Sequence, residues 1–369
     1  MRKRINIITS PFGCIPPHAL GAVEKLWYQI GEEWRREGFR VSFVCKSPQS
    51  VSTDDNVYIK GYERTGSLAK DIIIDFWYSI KALIKMRKCD YVVFNTFWSP
   101  LLSPLFFFKF RKSLYNVARF PKKQMFLYNA CDILACVSTA VRDAMIEQSP
   151  STSKRAIVIP NPIDTNIFTS DKERGLSTMV TIVYMGRVHR EKGIEQLVKA
   201  VNSLYGKYHL RLLIIGPTEI AKSGSGSEYV DELNNYAEGW NIEWRGAIYD
   251  MQELADNLKR GDIFCYPSLA EHGETFGVAP LEAMGCGLVP VVSNLKCFRD
   301  FIRDGENGLV YNHRDVNAHL LLAEKIKQLI DSPLVYKQMS LKAIETSKLF
   351  NIKTISSKYL AAFENDKKS

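Results

Sequence analysis

The sequence predicts an α/β protein made of two doubly wound, parallel-sheet domains facing across a cleft. Its 369 residues suit two domains better than one. Short apolar, β-branched runs alternate with amphipathic stretches along the whole chain, which is the pattern of repeated strand–helix–strand units. That alternation falls into two series, separated by Asn161-Pro162-Ile163-Asp164 and the polar stretch Thr169–Thr178.

In the first series the expected strands are Ile5–Thr9, Val41–Cys45, Tyr91–Phe94, Leu114–Val117, Ile133–Val137 and Ala156–Ile159. The helix after the first strand is marked by Val23, Leu26, Trp27, Ile30 and Trp34 at steps of three and four, with Gly38 just past its end. The second series gives strands at Val180–Met185, Leu210–Ile215, Ile242–Arg245, Ile263–Tyr266, Val289–Val292 and Leu309–Tyr311, with a helix over Ile194–Leu204. Val335–Phe363 reads as one or two helices before a charged tail. The expected domains are therefore 1–168 and 169–345. A C-terminal helix and tail, 346–369, are expected to pack back toward the first domain. Open α/β sheets bind ligands at the carboxyl ends of their strands.

Composition removes several classes. With 46% hydrophobic and 24% charged residues the chain is an ordinary globular mix. No apolar run nears the roughly 18–20 residues a spanning helix needs. The start, MRKRINIITSPFG, is too briefly apolar for a signal peptide. Eight cysteines include no Cys-x-x-Cys pair, and Cys45, Cys136 and Cys265 sit in apolar segments as small buried hydrophobes do, so a reduced, cytoplasmic, soluble protein is expected. The net charge is +9, yet residues 1–165 hold 24 basic and 14 acidic side chains while the remainder is nearly balanced. The excess belongs to the first half and concerns partners rather than fold.

Chemistry concentrates in Tyr266–Gly287, YPSLAEHGETFGVAPLEAMGCG. A strand ends at Tyr266, a loop follows, and Pro280 stands where the first turn of a helix tolerates it. Glu274 falls in the loop and Glu282 in the opening turns of the helix. Free N–H groups around Gly277 and Val278 make an anion site, and a glycine at 277 lets a ligand approach the backbone. On spacing alone the two carboxylates read first as solvent-facing caps. A second cluster, Gly186-Arg187-Val188-His189-Arg190-Glu191-Lys192-Gly193, follows the strand Val180–Met185. Cations at a helix N-terminus oppose its dipole, so they suit a bound anion; a solvated charged turn is the alternative. Lys222–Glu228, KSGSGSE, reads as a flexible polar loop.

Taken together, Gly186-Arg187…Glu191-Lys192-Gly193, Tyr266-Pro267-Ser268 and Glu274-x-Phe276-Gly277…Glu282-Ala283-Met284-x-x-Gly287 resemble the C-terminal half of glycosyltransferase family 4. Its Glu-x7-Glu element is matched by Glu274 and Glu282. Asp304-Gly305-x-Asn307-Gly308 is similar to a later loop of that family, and Gly21-Ala22-Val23-Glu24 to its glycine-rich first loop, with Ala22 in place of a second glycine. Cys131-Asp132-Ile133…Val137-Ser138 and Ile159-Pro160-Asn161-Pro162-Ile163-Asp164 fit as well. The likeness runs over roughly residues 5–345 and is tighter in the second half.

This resemblance implies a GT-B fold with a nucleotide-sugar donor, UDP- or GDP-linked, held by the second domain. By analogy Arg187 and Lys192 clamp the donor diphosphate and Glu274 meets the sugar. Glu282 accepts from the ribose hydroxyls. Gly186 and the backbone of Phe276, Gly277 and Val278 complete the phosphate site, and Arg245-Gly246 meets the base. The nucleotide-sugar is then a substrate, no cofactor is implied, and no Asp-x-Asp motif offers a metal site. The implied reaction is transfer, with retention, to a lipid-linked or saccharide acceptor in making lipopolysaccharide, capsule or exopolysaccharide. A non-hydrolysing nucleotide-sugar epimerase of the same fold and a degenerate glycan- or donor-binding subunit stay open as alternatives.

The first half departs from the family. Many relatives carry a histidine after a mid-domain strand, and Tyr91–Phe97 has none. His18, beside Gly21, is the candidate for the cleft. Asn95, Asn116 and Arg119, at predicted strand ends, are candidates for the acceptor side. No nucleic-acid-binding motif accompanies the basic excess. Phe106-Phe107-Phe108-Lys109-Phe110-Arg111-Lys112 sets aromatic residues beside cations, as peripheral membrane segments do. An anionic bilayer is thus an expected partner, with the enzyme on the inner face of the cell membrane; packing of Leu101–Phe108 in the core is the competing reading.

Overall fold

Two parallel sheets carry the fold, and the computed structural model describes residues 2–16, 22–47, 55–170 and 174–365. The first part of the chain contains β1 (Arg4–Ile8), α1 (Ala22–Arg36), β2 (Arg40–Lys46), β3 (Val57–Ile59), α2 (Leu68–Lys85), β4 (Tyr91–Phe94), α3 (Ser99–Leu102), β5 (Lys112–Val117), β6 (Ile133–Cys136), α4 (Thr139–Gln148) and β7 (Ala156–Val158). The second contains β8 (Val180–Met185), α5 (Ile194–Leu204), β9 (Leu210–Ile215), α6 (Ser227–Tyr236), β10 (Ile242–Gly246), α7 (Met251–Leu258), β11 (Ile263–Tyr266), α8 (Val278–Gly285), β12 (Val289–Ser293) and β13 (Leu309–Tyr311), then α9 (Ala318–Asp331) and α10 (Pro333–Lys348). Helix α11 (Ile352–Glu364) closes the described chain.

The first sheet has the order β3-β2-β1-β4-β5-β6-β7 and the second β10-β9-β8-β11-β12-β13. All pairings are parallel, with Ile5 in register with Val41 and Tyr91 in the first sheet, and Ile182 with Leu212 and Ile263 in the second. Both orders reverse direction once, between β1 and β4 and between β8 and β11. Those reversals open the crevices in which α/β sheets bind ligands.

The unbroken Val/Ile/Leu runs form strands because helices cover both faces, so neither face selects polar residues. Strands β8, β11 and β12 are buried throughout. On α1 the three-and-four spacing buries Trp27, Ile30 and Trp34. Against them packs α11: the rings of Trp27 and Tyr359 lie 4.9 Å apart, and Trp34 Nε1 donates to the Ser356 carbonyl at 3.1 Å. Phe363 stacks on Tyr91 at 4.5 Å.

The chain divides into 1–162 with 352–369, and 163–351. Residues 163–168, expected with the first domain, pack in the second unit. Ile163 N donates to the Phe350 carbonyl at 2.9 Å, and a Cβ on Gly285 would fall 2.4 Å from the Phe168 carbonyl oxygen. Residues 346–351, expected with the terminal helix, likewise belong to the second unit, because α10 runs unbroken to Lys348. Strand β3 lies outside the sequence expectation: it is three residues long and, among the described residues, pairs with Val44–Lys46 at the sheet edge. No described helix is long and apolar enough to cross a membrane.

Candidate active site

The second crevice collects the chemistry. Strand β8 ends at Met185, and the following loop, Gly186–Gly193, leads into α5; β11 ends at Tyr266, and its loop leads into α8. These are the two strands flanking the reversal, so their loops meet at the carboxyl edge. Gly193 sits at a φ of +67° and a Cβ there would lie 2.1 Å from the Pro267 carbonyl oxygen, so only glycine lets the two loops approach. Leu269 N donates to the Glu191 carbonyl at 2.8 Å, fastening them further.

This approach brings Lys192 and Glu274 together across 82 residues of sequence: Nζ donates to Oε2 at 2.8 Å. Their side chains are 7% and 11% exposed. A buried ion pair is held only where its geometry is good, and breaking one is costly. Tyr184 and Tyr266 stack beneath it, centroids 5.7 Å apart, and Lys192 Nζ lies 5.7 Å from the Tyr266 ring centre. Burial first, and the Glu274 carboxylate second, hold both phenols far above their ordinary range.

Beside the pair α8 begins. Gly277 precedes it at a φ of +91°, where a Cβ would collide with the Phe298 ring at 2.5 Å. Pro280 is in the first turn, as expected, and the leading N–H groups of the helix have no intrahelical acceptor. Val278 opens the helix and is half-buried, and Glu282 lies just beyond the first turn, also half-buried. Phe276 is different: its ring is buried against Phe301 and Phe350, at 5.2 and 6.0 Å, so its side chain is core and only its backbone is left for a ligand.

Arg187 is about two-fifths exposed; it bonds Glu191 at 2.8 Å and the Ser223 carbonyl at 3.2 Å. Gly186 N donates to the Ile215 carbonyl at 2.9 Å, and the Gly246 carbonyl accepts from Gly216 N at 2.7 Å, drawing the ends of β8, β9 and β10 into one rim. Arg245, exposed on that rim, pairs with Glu243 at 2.7 Å. The segment Lys222–Glu228 corrects its sequence reading. It is not a free loop: Ser225 N donates to the Val188 carbonyl and Gly226 N to the Thr218 carbonyl, each at 2.8 Å, and α6 starts at Ser227. Its glycines serve tight turns against the Arg187 loop.

Sequence reasoning passed over His313. It follows β13, its side chain is 4% exposed, and Nε2 lies 3.0 Å from Glu271 Oε1, in the Glu274 loop. Arg314 reaches the same oxygen at 2.6 Å. Burial pushes the His313 pKa down, against the pull of Glu271. With Nδ1 buried and unpartnered among the described residues, the neutral tautomer donating from Nε2 fits. Only a polar residue just past a strand end could have flagged it.

In the first unit Asn95 and Asn116 sit at the ends of β4 and β5. Asn95 Nδ2 donates to the Ile8 carbonyl at 3.1 Å, and its Oδ1 accepts from Asn116 Nδ2 at 3.0 Å. Asn116 Oδ1 and Thr9 Oγ1 are buried with no partner among the described residues. Arg119 is exposed beyond β5. His18 and Gly21 lie outside the described residues.

Two family models match: Glycosyltransferase Family 4 over residues 23–167 and Glycosyl transferases group 1 over residues 167–346. Among curated proteins, alpha-maltose-1-phosphate synthase of Mycolicibacterium smegmatis is 27% identical over 218 residues, 55% of this chain and 55% of that protein. The capsular polysaccharide biosynthesis glycosyltransferase CapM of Staphylococcus aureus is 27% identical over 170 residues, 46% of this chain and 41% of that protein. The chain spans about half the length of the curated relatives it matches. Among solved structures, HepE of Anabaena in complex with UDP and glucose shares the fold, with a TM-score of 0.73 at 17% identity over 98% of this chain and 99% of that one.

Proposed function

Because this chain belongs to glycosyltransferase family 4 and has the GT-B fold, we propose that it moves a sugar from a nucleotide-sugar donor to a glycan or lipid-linked acceptor. The observation that carries the proposal is the buried Lys192–Glu274 pair, 2.8 Å apart beside the opening turn of α8. It joins a cation, a carboxylate and unsatisfied N–H donors in the crevice where two strands diverge.

In this reading the donor diphosphate lies over the N-terminus of α8. The backbone N–H groups of Gly277 and Val278 bond its oxygens, with Gly186 and the backbone of Phe276 alongside. Lys192 and Arg187 face the phosphates, and Arg187 exchanges its bond to Glu191 for one to phosphate. As the bond from the anomeric carbon to the phosphate oxygen breaks, the electron pair stays on the diphosphate, and these two cations neutralise the growing charge with no metal. Glu274, freed from Lys192 as that cation turns to phosphate, orients the sugar hydroxyls and stabilises positive charge on the ring. Glu282 accepts from the ribose, and the rim at Arg245 and Gly246 meets the base. Retention of configuration follows the family. The first unit, with Asn95, Arg119 and the glycine loop that includes Gly21 and His18, takes the acceptor. Its basic excess suits a lipid-linked acceptor at the anionic inner face of the cell membrane, for a surface polysaccharide such as lipopolysaccharide or capsule; the resemblance to CapM supports that class.

Thermal unfolding with UDP-, GDP- and ADP-sugars tests the proposal. One nucleotide is expected to raise the midpoint and its sugar to be slowly hydrolysed. Arg187→Ala should abolish the shift, and Glu274→Ala should keep the shift but lose hydrolysis. Stabilisation without any turnover of donor would indicate a binding subunit, and no shift with any nucleotide overturns the donor site.

A further inference from the structure

Helix α2 carries apolar residues on both faces and its acids on the inner one. Its two carboxylates, Asp71 and Asp75, are buried, whereas Ile73, Trp77 and Ile84 are exposed to between 57 and 59%. The inward carboxylates have fixed partners. Asp71 accepts from the Thr65 N–H and hydroxyl at 3.0 and 2.8 Å, and Asp75 from Phe97 N and Trp98 N at 2.9 and 3.1 Å. The outward residues Lys70, Ile73, Trp77, Lys81 and Ile84 recur at steps of three and four, so they form one stripe, with exposed Lys85 beside it and Lys88 just past the helix end. Its apolar positions are interleaved with lysines.

The stripe continues past the helix. Lys109 Nζ donates to the carbonyls of Leu83 and Met86 at 3.0 and 3.2 Å, capping α2 and fastening the turn Ser103–Lys109 to it. On that turn Leu105, Phe107 and Phe108 are exposed to 71, 72 and 58%, so the core-packing reading fails for these three. Single exposed apolar residues need no explanation, but a row of them rimmed by lysines does.

We propose that this face of the first unit seats on an anionic lipid bilayer, with Trp77, Phe107 and Phe108 among the headgroups and Lys70, Lys81, Lys85 and Lys88 on the lipid phosphates. The proposal deepens the membrane-facing reading given above and rests on it. Charge selects this occupant. Between residues 68 and 88 every acidic side chain is turned inward, leaving the exposed stripe purely cationic where it is charged. A second copy on a two-fold axis would set these lysines against one another, and protein interfaces are depleted in lysine. Asp75 and the 3.0 Å bond from Trp98 Nε1 to the Ile72 carbonyl tie the same helix to the loop leaving β4, next to Asn95. The Lys70–Trp77 end of the stripe thus lies beside the carboxyl edge of the first sheet, while Lys88 and Lys109 mark its other end, beside the amino ends of β1 and β4.

Flotation of the full chain with phosphatidylcholine vesicles, with and without phosphatidylglycerol, tests this in the absence of any donor. Binding is expected only to the anionic vesicles and should weaken with salt. At about 1 kcal/mol per basic residue near an anionic surface, Lys81→Gln with Lys85→Gln should weaken binding about 30-fold. Trp77→Ser with Phe107→Ser should reduce it at least as much, while melting temperature and donor-induced shift stay as in the parent, which separates failed docking from failed folding or donor binding. Wild-type protein left unbound by both vesicle types overturns the proposal, as do variants that float like the parent. A solution dimer dissociated by Trp77→Ser also overturns it, in favour of self-association.

Discussion

Removing the cation of the buried pair, by Lys192→Met, asks the most of the proposed site. The substitution keeps the length of the side chain and leaves the Glu274 carboxylate, 11% exposed, without its 2.8 Å partner. Loss of one member of a buried pair costs about 3–5 kcal/mol, a large share of the roughly 5–15 kcal/mol that stabilises a typical domain. Adding Glu274→Gln removes the charge itself and should return most of the loss, giving a coupling of about 2 kcal/mol or more. Hydrogen exchange of peptides from β8, β11 and α8 reads the second unit directly. Both variants should lose the stabilisation that a nucleoside diphosphate gives the parent, about 2.7 kcal/mol at a hundredfold excess over Kd. Equal destabilisation by the single and double variants, or a Lys192→Met protein that binds diphosphate like the parent, would refute the reasoning.

Asp75 is buried and its pKa is pushed up to about 6 from an ordinary 3.8; the folded state therefore holds the proton more tightly, and stability should fall as pH rises across that window. Asp75→Asn keeps an acceptor for Phe97 N and Trp98 N and should flatten this dependence, worth about 3 kcal/mol, in urea unfolding between pH 4 and pH 7; an unchanged slope refutes the assignment. His313 has the opposite sign, its pKa lowered from 6.5, so its contribution is present above that value and lost on acidification. His313→Gln should lessen the acid sensitivity of the second unit in exchange experiments. Gly193→Ala puts a methyl 2.1 Å from the Pro267 carbonyl oxygen, so it should separate the two loops and raise KM for the donor by tenfold or more, about 1.4 kcal/mol, an effect checked by initial rates.

How much of this was legible depended on how local each cause is. The passage from β11 to α8 could be read because its signals are sequential: an apolar run to Tyr266, then Gly277 at the cap and Pro280 in the first turn. Contact between Lys192 and Glu274 could not, since it follows from β8 and β11 being neighbours across the reversal, and no periodicity encodes that adjacency. The same distance effect misled the reading of Lys222–Glu228. Serine and glycine in alternation look mobile, but the acceptors that order them, Val188 and Thr218, arrive only when β8 and β9 pair. Phe276 was legible only in part: its backbone role beside Gly277 comes from the resemblance, whereas the packing of its ring on Phe301 and Phe350 depends on segments distant in sequence.

Helix α2 escaped notice for a different reason, one bearing on what its surface is for. A hydropathy pattern says that a helix has two faces but not which is inward, and inward is normally assigned to the apolar side. Here Asp71 and Asp75 are drawn inward by backbone N–H groups at Thr65, Phe97 and Trp98 that have no other acceptor among the described residues. Burying a carboxylate is costly, and the raised pKa of Asp75 records that cost. Rotating the helix to hide Trp77 and Ile84 would strand those N–H groups and expose the acids, so the two faces are decided together. If the exposed stripe had no partner, serine or lysine at positions 73, 77 and 84 would cost the fold little beyond the edge contact of Trp77 with Phe76. The choice of isoleucine and tryptophan there is explained by an apolar environment outside the chain, and a bilayer supplies one that also welcomes the flanking lysines.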